Sequence, residues 1–507
     1  MEREQFNDLA VKDQAELGRI KAAASSSKLY NEDLAPMGPE QRTWTTYNFV
    51  ALWVGISIVI TTYTLASGLI AAGMVWWQAL FTIGLGNMIV LIPLLLNAHA
   101  GTKYGIPFPV FVRSSFGVTG ANFAALARAL VACGWFGIQT WIGGLALDAM
   151  LTAFWGGWDD VAGHQGITFF IFWVVQVVII LTGIEGIKVF ESLAAPLLLV
   201  GGIALLIWGF SAGGGIGNVF SVSSQLQEGN TPFWALFWSG LAANVGYWVT
   251  LSLNIPDFTR FAKTQRSQTL SQAITLPLTM TVFSFIGIAV TAATVVVYGR
   301  AIWDPVELVA RIAGPIPALL IGAMIIIVIA QISTNMAANV VSPSNDFSNV
   351  APRYISFKMG GMITAVIGII SFPWVLFNNA GAYIFTWLVG YGSLLGAIGA
   401  VMIVDYWILR RAQLDLADLY KTDGQYAYSG GWNWKAIVAV FVGVIPVIPG
   451  FLKASTTPGG VIENPSFLDS LYTYGLFFTF TVAAVAYLLL SLIPSRRPEP
   501  SGEPETT

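Results

Sequence analysis

The sequence predicts an all-α integral membrane protein with twelve transmembrane helices. Three observations carry this: scarce charge, twelve apolar stretches, and an uneven distribution of Lys and Arg. Only 10% of the 507 residues are charged and 55% are apolar, with a mean hydropathy of +0.70. A soluble protein carries about 25% charged residues, and a water-facing surface cannot be covered with so few. A net charge of −3 without a basic stripe excludes a nucleic-acid partner. Cys133 is the single cysteine, which excludes a disulfide framework. With His99 and His164 as the two histidines, there is little material for a zinc or haem site. The first 40 residues are polar and charged and lack the apolar core of a cleavable signal.

A bilayer core needs roughly 20 apolar residues per helix. Such stretches fall at about 46–70, 76–97, 118–152, 166–184, 190–212, 232–255, 270–299, 314–343, 359–377, 380–409, 434–454 and 468–494. The third and tenth exceed the bilayer and are expected to tilt or overrun it. Span 1 carries Gly55-Ile56-Ser57 at mid-depth, and span 6 carries Ser239-Gly240, Asn244 and Gly246. Interrupted helices in matching positions of two repeats mark a transport site. Spans 1 and 6 are five apart, which fits a five-plus-five inverted repeat followed by two extra helices. The expected organisation is a tail over 1–41, a first repeat over 42–212, a second over 213–411, spans 11 and 12 over 412–494, and a tail over 495–507. Both tails are polar and expected to be mobile.

Lys and Arg crowd the cytoplasmic loops of membrane proteins. With the N-terminus inside, 20 of the 24 Lys and Arg fall in inside segments. Only Arg300, Arg311 and Lys453 fall outside, and Arg128 lies within span 3. A missed or extra span would scramble this split. The expectation is a multi-pass protein of the cell (inner) membrane with both termini cytoplasmic, acting as a monomer.

Polar groups in hydrocarbon cost free energy unless bonded, so those within the spans are informative. Trp135 and Gln139 in span 3 are i and i+4 and share a helix face. An indole beside an amide suits a planar, amide-containing ring; an interhelical Gln bond beside a packed Trp would look the same. In span 8, Gln331, Ser333, Thr334, Asn335 and Asn339 crowd one short stretch of apolar helix. Two hydroxyls with carbonyls freed by a broken helix would cage a small hard cation. Trp248 in span 6 offers a second stacking surface or a core aromatic. Arg128 and Asp148 are expected to snorkel to opposite faces. Glu185, Lys188 and Glu191 read as a solvated turn. Asp257 and Arg260 would anchor at the interface, and Asp346 and Asp405 lie near cytoplasmic ends.

Asn31-Glu32-Asp33-Leu34 before Arg42-Thr43-Trp44 resembles the entry motif of the nucleobase–cation symporter-1 family. So do Gly101-Thr102-Lys103-Tyr104-Gly105-Ile106-Pro107-Phe108-Pro109-Val110 and Arg113-Ser114-Ser115-Phe116-Gly117. The span 3 run Trp135 to Gln139, the segment Asn254 to Arg260, and Ala337-Ala338-Asn339 through Ser342-Pro343 complete the pattern. The likeness runs from about residue 28 to 440 and looks nearest to the branch carrying hydantoins and allantoin. It implies a LeuT-type fold and alternating access. It further implies substrate stacked between Trp135 and Trp248, with Gln139 and Asn339 on its amide edges and Asn335 nearby. A sodium ion would sit between spans 1 and 8, on the carbonyls of Gly55, Ile58 and Ala330 and the hydroxyls of Ser333 and Thr334. Both hydroxyls are present, which favours sodium. Three positions depart from hydantoin carriers: Val59 replaces a glutamine, Tyr247 a glycine and Met336 a proline.

The function implied is a sodium-coupled secondary active importer of a planar cyclic ureide or nucleobase. The competing reading is a proton-coupled carrier of the same fold for a different small substrate. An amino-acid carrier would need a site for carboxylate and amine, which paired indoles with Gln and Asn suit less well. An integral-membrane enzyme would need a catalytic dyad or metal cluster in the spans, and the sequence offers none. A non-transporting receptor has no positive support.

Overall fold

The computed structural model describes residues 9–11, 13–182, 185–227, 232–462 and 464–494. Regular structure among them is helical, with two isolated bridges, Trp44 with Ala262 and Ser429 with Trp432. By length and hydropathy eight helices can cross a bilayer, or ten if each of two bent pairs is one span. The other two of the twelve expected stretches are also helical. Phe233–Asn254 is rich in Trp, Ser, Gly and Asn, which lowers its hydropathy. Phe357–Ile370 is apolar but only 14 residues long. The expected solvated turn at Glu185, Lys188 and Glu191 lies outside the described side chains.

Span 1 is broken as anticipated. Thr46–Ser57 and Ile60–Ala71 meet at 50°, with Val59 in extended conformation at φ −141°, ψ 157°. β-branched residues from Ile58 to Thr62 weaken the helix here, and a helix end leaves its last carbonyls without intrahelical partners. Span 6, expected to break too, is continuous over Phe233–Asn254. Its small residues serve close packing instead. A Cβ on Gly246 would lie 2.6 Å from the Leu388 carbonyl oxygen of span 10, and the Asn244 amide donates back to Gly240 O at 2.8 Å.

Spans 2 (Trp76–Tyr104) and 3 (Ala121–Phe154) run 29 and 34 residues. Spans 4 and 5 cover His164–Thr182 and Ala194–Ala212. Span 7 is Gln265–Tyr298, span 8 is Pro317–Val350, and span 10 is Ala382–Leu409, long as expected. Span 11 is Trp434–Thr456. Span 12, expected to be continuous, bends by 97° between Phe467–Thr473 and Gly475–Ser491. The bend falls at Gly475, whose φ of 27° few other residues tolerate. Span 1 packs on span 7, span 2 on spans 6 and 7, span 3 on spans 4, 8 and 9, and span 10 on spans 6 and 12.

The described part of the N-terminal tail, expected to be mobile, packs across one end of this array, here called the N-terminal face; the C-terminal tail over 495–507 lies outside the described residues. Met37 N donates to Gly105 O at 2.8 Å. The Asn31 amide donates to Pro352 O beyond span 8 at 2.7 Å, and Arg260 beyond span 6 donates to Asp33 O at 3.0 Å. Arg113, between spans 2 and 3, donates to Leu29 O and Asn349; its burial pulls the guanidinium down to about 10.

Arg128 does not snorkel. It pairs with Asp346 of span 8 at 3.3 Å, with 1% and 0% of the two side chains exposed. A buried charge needs a partner rather than a route to water. Asp148, at the other end of span 3, accepts from Trp158 and His164, each at 2.8 Å.

Candidate substrate and cation site

Span 3 brings Trp135 and Gln139 to the middle of the helix array, one turn apart on one face, as their spacing requires. Span 6 brings Tyr247 and Trp248 opposite, and span 8 brings Thr334, Ala338 and Asn339. Together with Ile56 and Thr61 of span 1 and Thr250 and Leu251 of span 6 these line one cleft. Thr250, Leu251, Ala338 and Asn339 lie at the C-terminal ends of Phe233–Asn254 and Pro317–Asn339, the ends that the N-terminal tail covers, so the cleft runs towards the N-terminal face.

The other side of Trp135 is closed by span 10. Tyr383 and Tyr391 meet the indole edge-on at 5.9 and 6.4 Å. Trp135 Nε1 donates to the Tyr391 hydroxyl at 3.2 Å. Trp303, on the segment before span 8, stacks on Tyr383, and Phe377 packs against its edge.

Two polar groups of the cleft wall lack partners among the described residues. Trp248 is 2% exposed and Gln139 3%. Neither the indole Nε1 donor of Trp248 nor the Oε1 acceptor of Gln139 meets a hydrogen-bond partner among the described residues. Buried polar groups left unpaired cost free energy, and both side chains belong to residues that line the cleft. Asn339 joins the wall, and its amide donates to Asn335 Oδ1 at 2.9 Å. Asn335 lies one layer behind. Its own amide nitrogen faces Phe136 O at 3.0 Å and Gln176 Oε1 at 2.7 Å, so it orients Asn339 from the scaffold. The i, i+4 spacing made Asn335 and Asn339 look equivalent; the neighbouring span 4 decides that only one meets the cleft. Thr61, Thr250 and Gln176 were missed, because single hydroxyls and amides in apolar helices carry no pattern.

The break in span 1 lies against span 8. Ile58 and Ala330 are buried, as are Ser333 and Thr334. Gly55 at the end of the first half-helix has open space beside it, since a Cβ there would meet nothing within 4 Å. The side-chain hydroxyls of Ser333 and Thr334 make no hydrogen bond among the described residues. Mid-helix hydroxyls ordinarily bond back to the preceding turn, as Thr140 does to Phe136 O. Thr334 lines the cleft with Ile56 and Thr61, which flank the break, and with the adjacent Ser333 it offers an all-oxygen donor set, which fits a hard monovalent cation.

A helix broken at mid-depth beside a cleft of indoles and amides, in an all-α membrane fold, defines a secondary transporter rather than an enzyme. The profile of one family, described as permease for cytosine/purines, uracil, thiamine, allantoin, matches residues 36–478. The chain belongs to that family. It is 41% identical over 475 residues to the purine-uracil permease NCS1 of Arabidopsis thaliana, spanning 91% of this chain and 78% of that one. It is 39% identical over 475 residues to the allantoin permease of Bacillus subtilis, spanning 92% and 94%. The fold matches Mhp1, a nucleobase-cation-symport-1 family transporter. The TM-score is 0.73 with 25% identity for the closed form with bromovinylhydantoin bound, spanning 92% of this chain and 96% of that one. For the inward-facing form it is 0.75, with 26% identity, spanning 92% and 95%.

Proposed function

We propose that the protein is a sodium-coupled importer of a planar cyclic ureide or nucleobase, of allantoin, hydantoin, uracil or cytosine type. The observation that carries this is the unpaired Gln139 acceptor on a cleft wall that also carries the Trp135 and Trp248 indoles. A flat ring with an amide edge suits both features. It stacks between Trp135 and Trp248 and gives an N–H to Gln139 Oε1. Asn339, held by Asn335, bonds the remaining edge. Gln139 uses no charge, which suits a neutral ring.

Sodium is read from the free hydroxyls of Ser333 and Thr334 beside the carbonyls of Gly55, Ile58 and Ala330. The ion joins the broken helix of span 1 to span 8, so its binding favours one arrangement of the two. Coupling follows when the ring favours that same arrangement. The 20 to 3 split of Lys and Arg supports a cytoplasmic N-terminal face. The cleft then opens inward, and the aromatic cover of Tyr383, Trp303 and Phe377 is the closed outer side. The N-terminal tail, bonded to the ends of both span 6 and span 8, would have to yield as these move apart.

The test is uptake into proteoliposomes of labelled allantoin, hydantoin, uracil and cytosine, with sodium or proton gradients imposed separately. Sodium-driven accumulation of at least one ring is the expected result. Accumulation driven by protons alone overturns the sodium assignment, and failure to bind or carry any ring overturns the substrate class.

A further inference from the structure

Tyr247 is the one phenol on the cleft wall, and it is held unusually firmly. Its ring stands edge-on to both indoles, 5.4 Å from Trp135 at 84° and 5.0 Å from Trp248 at 88°. Its hydroxyl meets those of Thr61 at 2.8 Å and Thr62 at 3.2 Å, both just past the break of span 1. The backbone beneath it cannot retreat, because Gly246 already lies against the Leu388 carbonyl. The side chain is only 7% exposed. A side chain fixed at its tip, its ring and its base does not move aside cheaply.

We propose that Tyr247 sets the upper size of the substituent that a bound ring can carry. The inference rests on the proposed seating of the ring between Trp135 and Trp248. The phenol fills the flank of that space, so a bare ring or one with a short arm, such as the ureido group of allantoin, fits. A ring bearing an aryl-sized arm meets the Tyr247 ring and must break both hydroxyl contacts to enter. The specificity is steric, set by one residue of span 6 and enforced from span 1.

Calorimetric binding to the purified full-length protein tests this, using hydantoin and uracil, each bare and with a 5-benzyl group. Wild type should bind at least one bare ring and discriminate against its benzyl derivative by roughly 100-fold or more. Tyr247→Ala should cut that discrimination to roughly tenfold or less, while Tyr247→Phe, which keeps the ring, should retain it. If Tyr247→Ala does not survive purification, Tyr247→Leu carries the same expectation. Equal binding of bare and benzyl rings by wild type overturns the proposal. So does discrimination that persists unchanged in the small variant, and in either case the seating of the bare ring still stands. Binding of neither bare ring by any variant overturns the seating, and this inference with it.

Discussion

Gln139→Ala isolates the polar half of ring recognition. Gln139 is 3% exposed, its Oε1 has no partner among the described residues, and its backbone carbonyl accepts from the Gln331 amide at 3.3 Å. Truncation leaves that backbone contact in place. In the complex it strands a ring N–H in a cleft with little room for water. An unpaired buried donor costs about 1–3 kcal/mol. Taking about 2 kcal/mol, affinity should fall roughly 30-fold at 1.4 kcal/mol per decade. The free protein loses an unsatisfied buried amide, so its melting temperature should hold or rise slightly. The assay is tryptophan quenching or calorimetry with the ring found in the uptake panel, alongside thermal unfolding of the free protein in detergent. A Kd within twofold of wild type refutes the assignment. A large fall in melting temperature refutes the claim that Gln139 is held in reserve for ligand.

Other perturbations separate the remaining roles. Thr334→Ala removes one ion–dipole contact of about 1.5–3 kcal/mol, so the sodium Kd should rise roughly ten- to hundredfold. Stability without sodium should be unchanged, since the hydroxyl bonds nothing among the described residues; intact sodium dependence would place the ion elsewhere. Arg128→Met strands Asp346, whose side chain is 0% exposed, and should cost about 3–5 kcal/mol. Adding Asp346→Leu should recover most of the loss in thermal unfolding, and failure to recover it would mean the orphaned charge is not the cause. Asp304 caps the helix Pro305–Ala313 through Val306 N at 2.8 Å, yet burial lifts its carboxyl from 3.8 to about 6. The folded state therefore binds the proton more tightly than the unfolded chain, and stability falls as pH rises from about 4 to about 6. Asp304→Asn keeps the capping oxygen and removes that fall, so it should be stabilising relative to wild type at pH 7 but not at pH 4. A melting-temperature difference independent of pH would refute this.

Much of the molecule is legible without coordinates because hydrophobic periodicity and helix pitch are local properties. The spans, the break after Ser57, and the shared face of Trp135 and Gln139 all follow from residues within a few turns of each other. Other features depend on what a helix meets. The small residues of span 6 read as a break, but Leu388 of span 10 lies against Gly246, so they mark a close crossing in an intact helix. Asn335 and Asn339 have the same spacing as Trp135 and Gln139. Gln176 of span 4 claims the first, and only the second reaches the cleft.

By itself the sequence determined the membrane class, the order of the helices, the family and the residue types of the candidate site. Those depend on composition, spacing and motif. The tertiary structure alone decided which polar atoms remain unpaired and which charges are paired. Arg128 finds Asp346 218 residues away, and Tyr247 finds Thr61 across 186. The N-terminal tail reads as polar, yet its described part is held by Val11, Leu17 and Leu34, which join the hydrophobic core, and by Arg113 and Arg260, groups scattered along the chain. The physical reason is the cost of a buried polar group, which is settled only by the partner that folding brings to it.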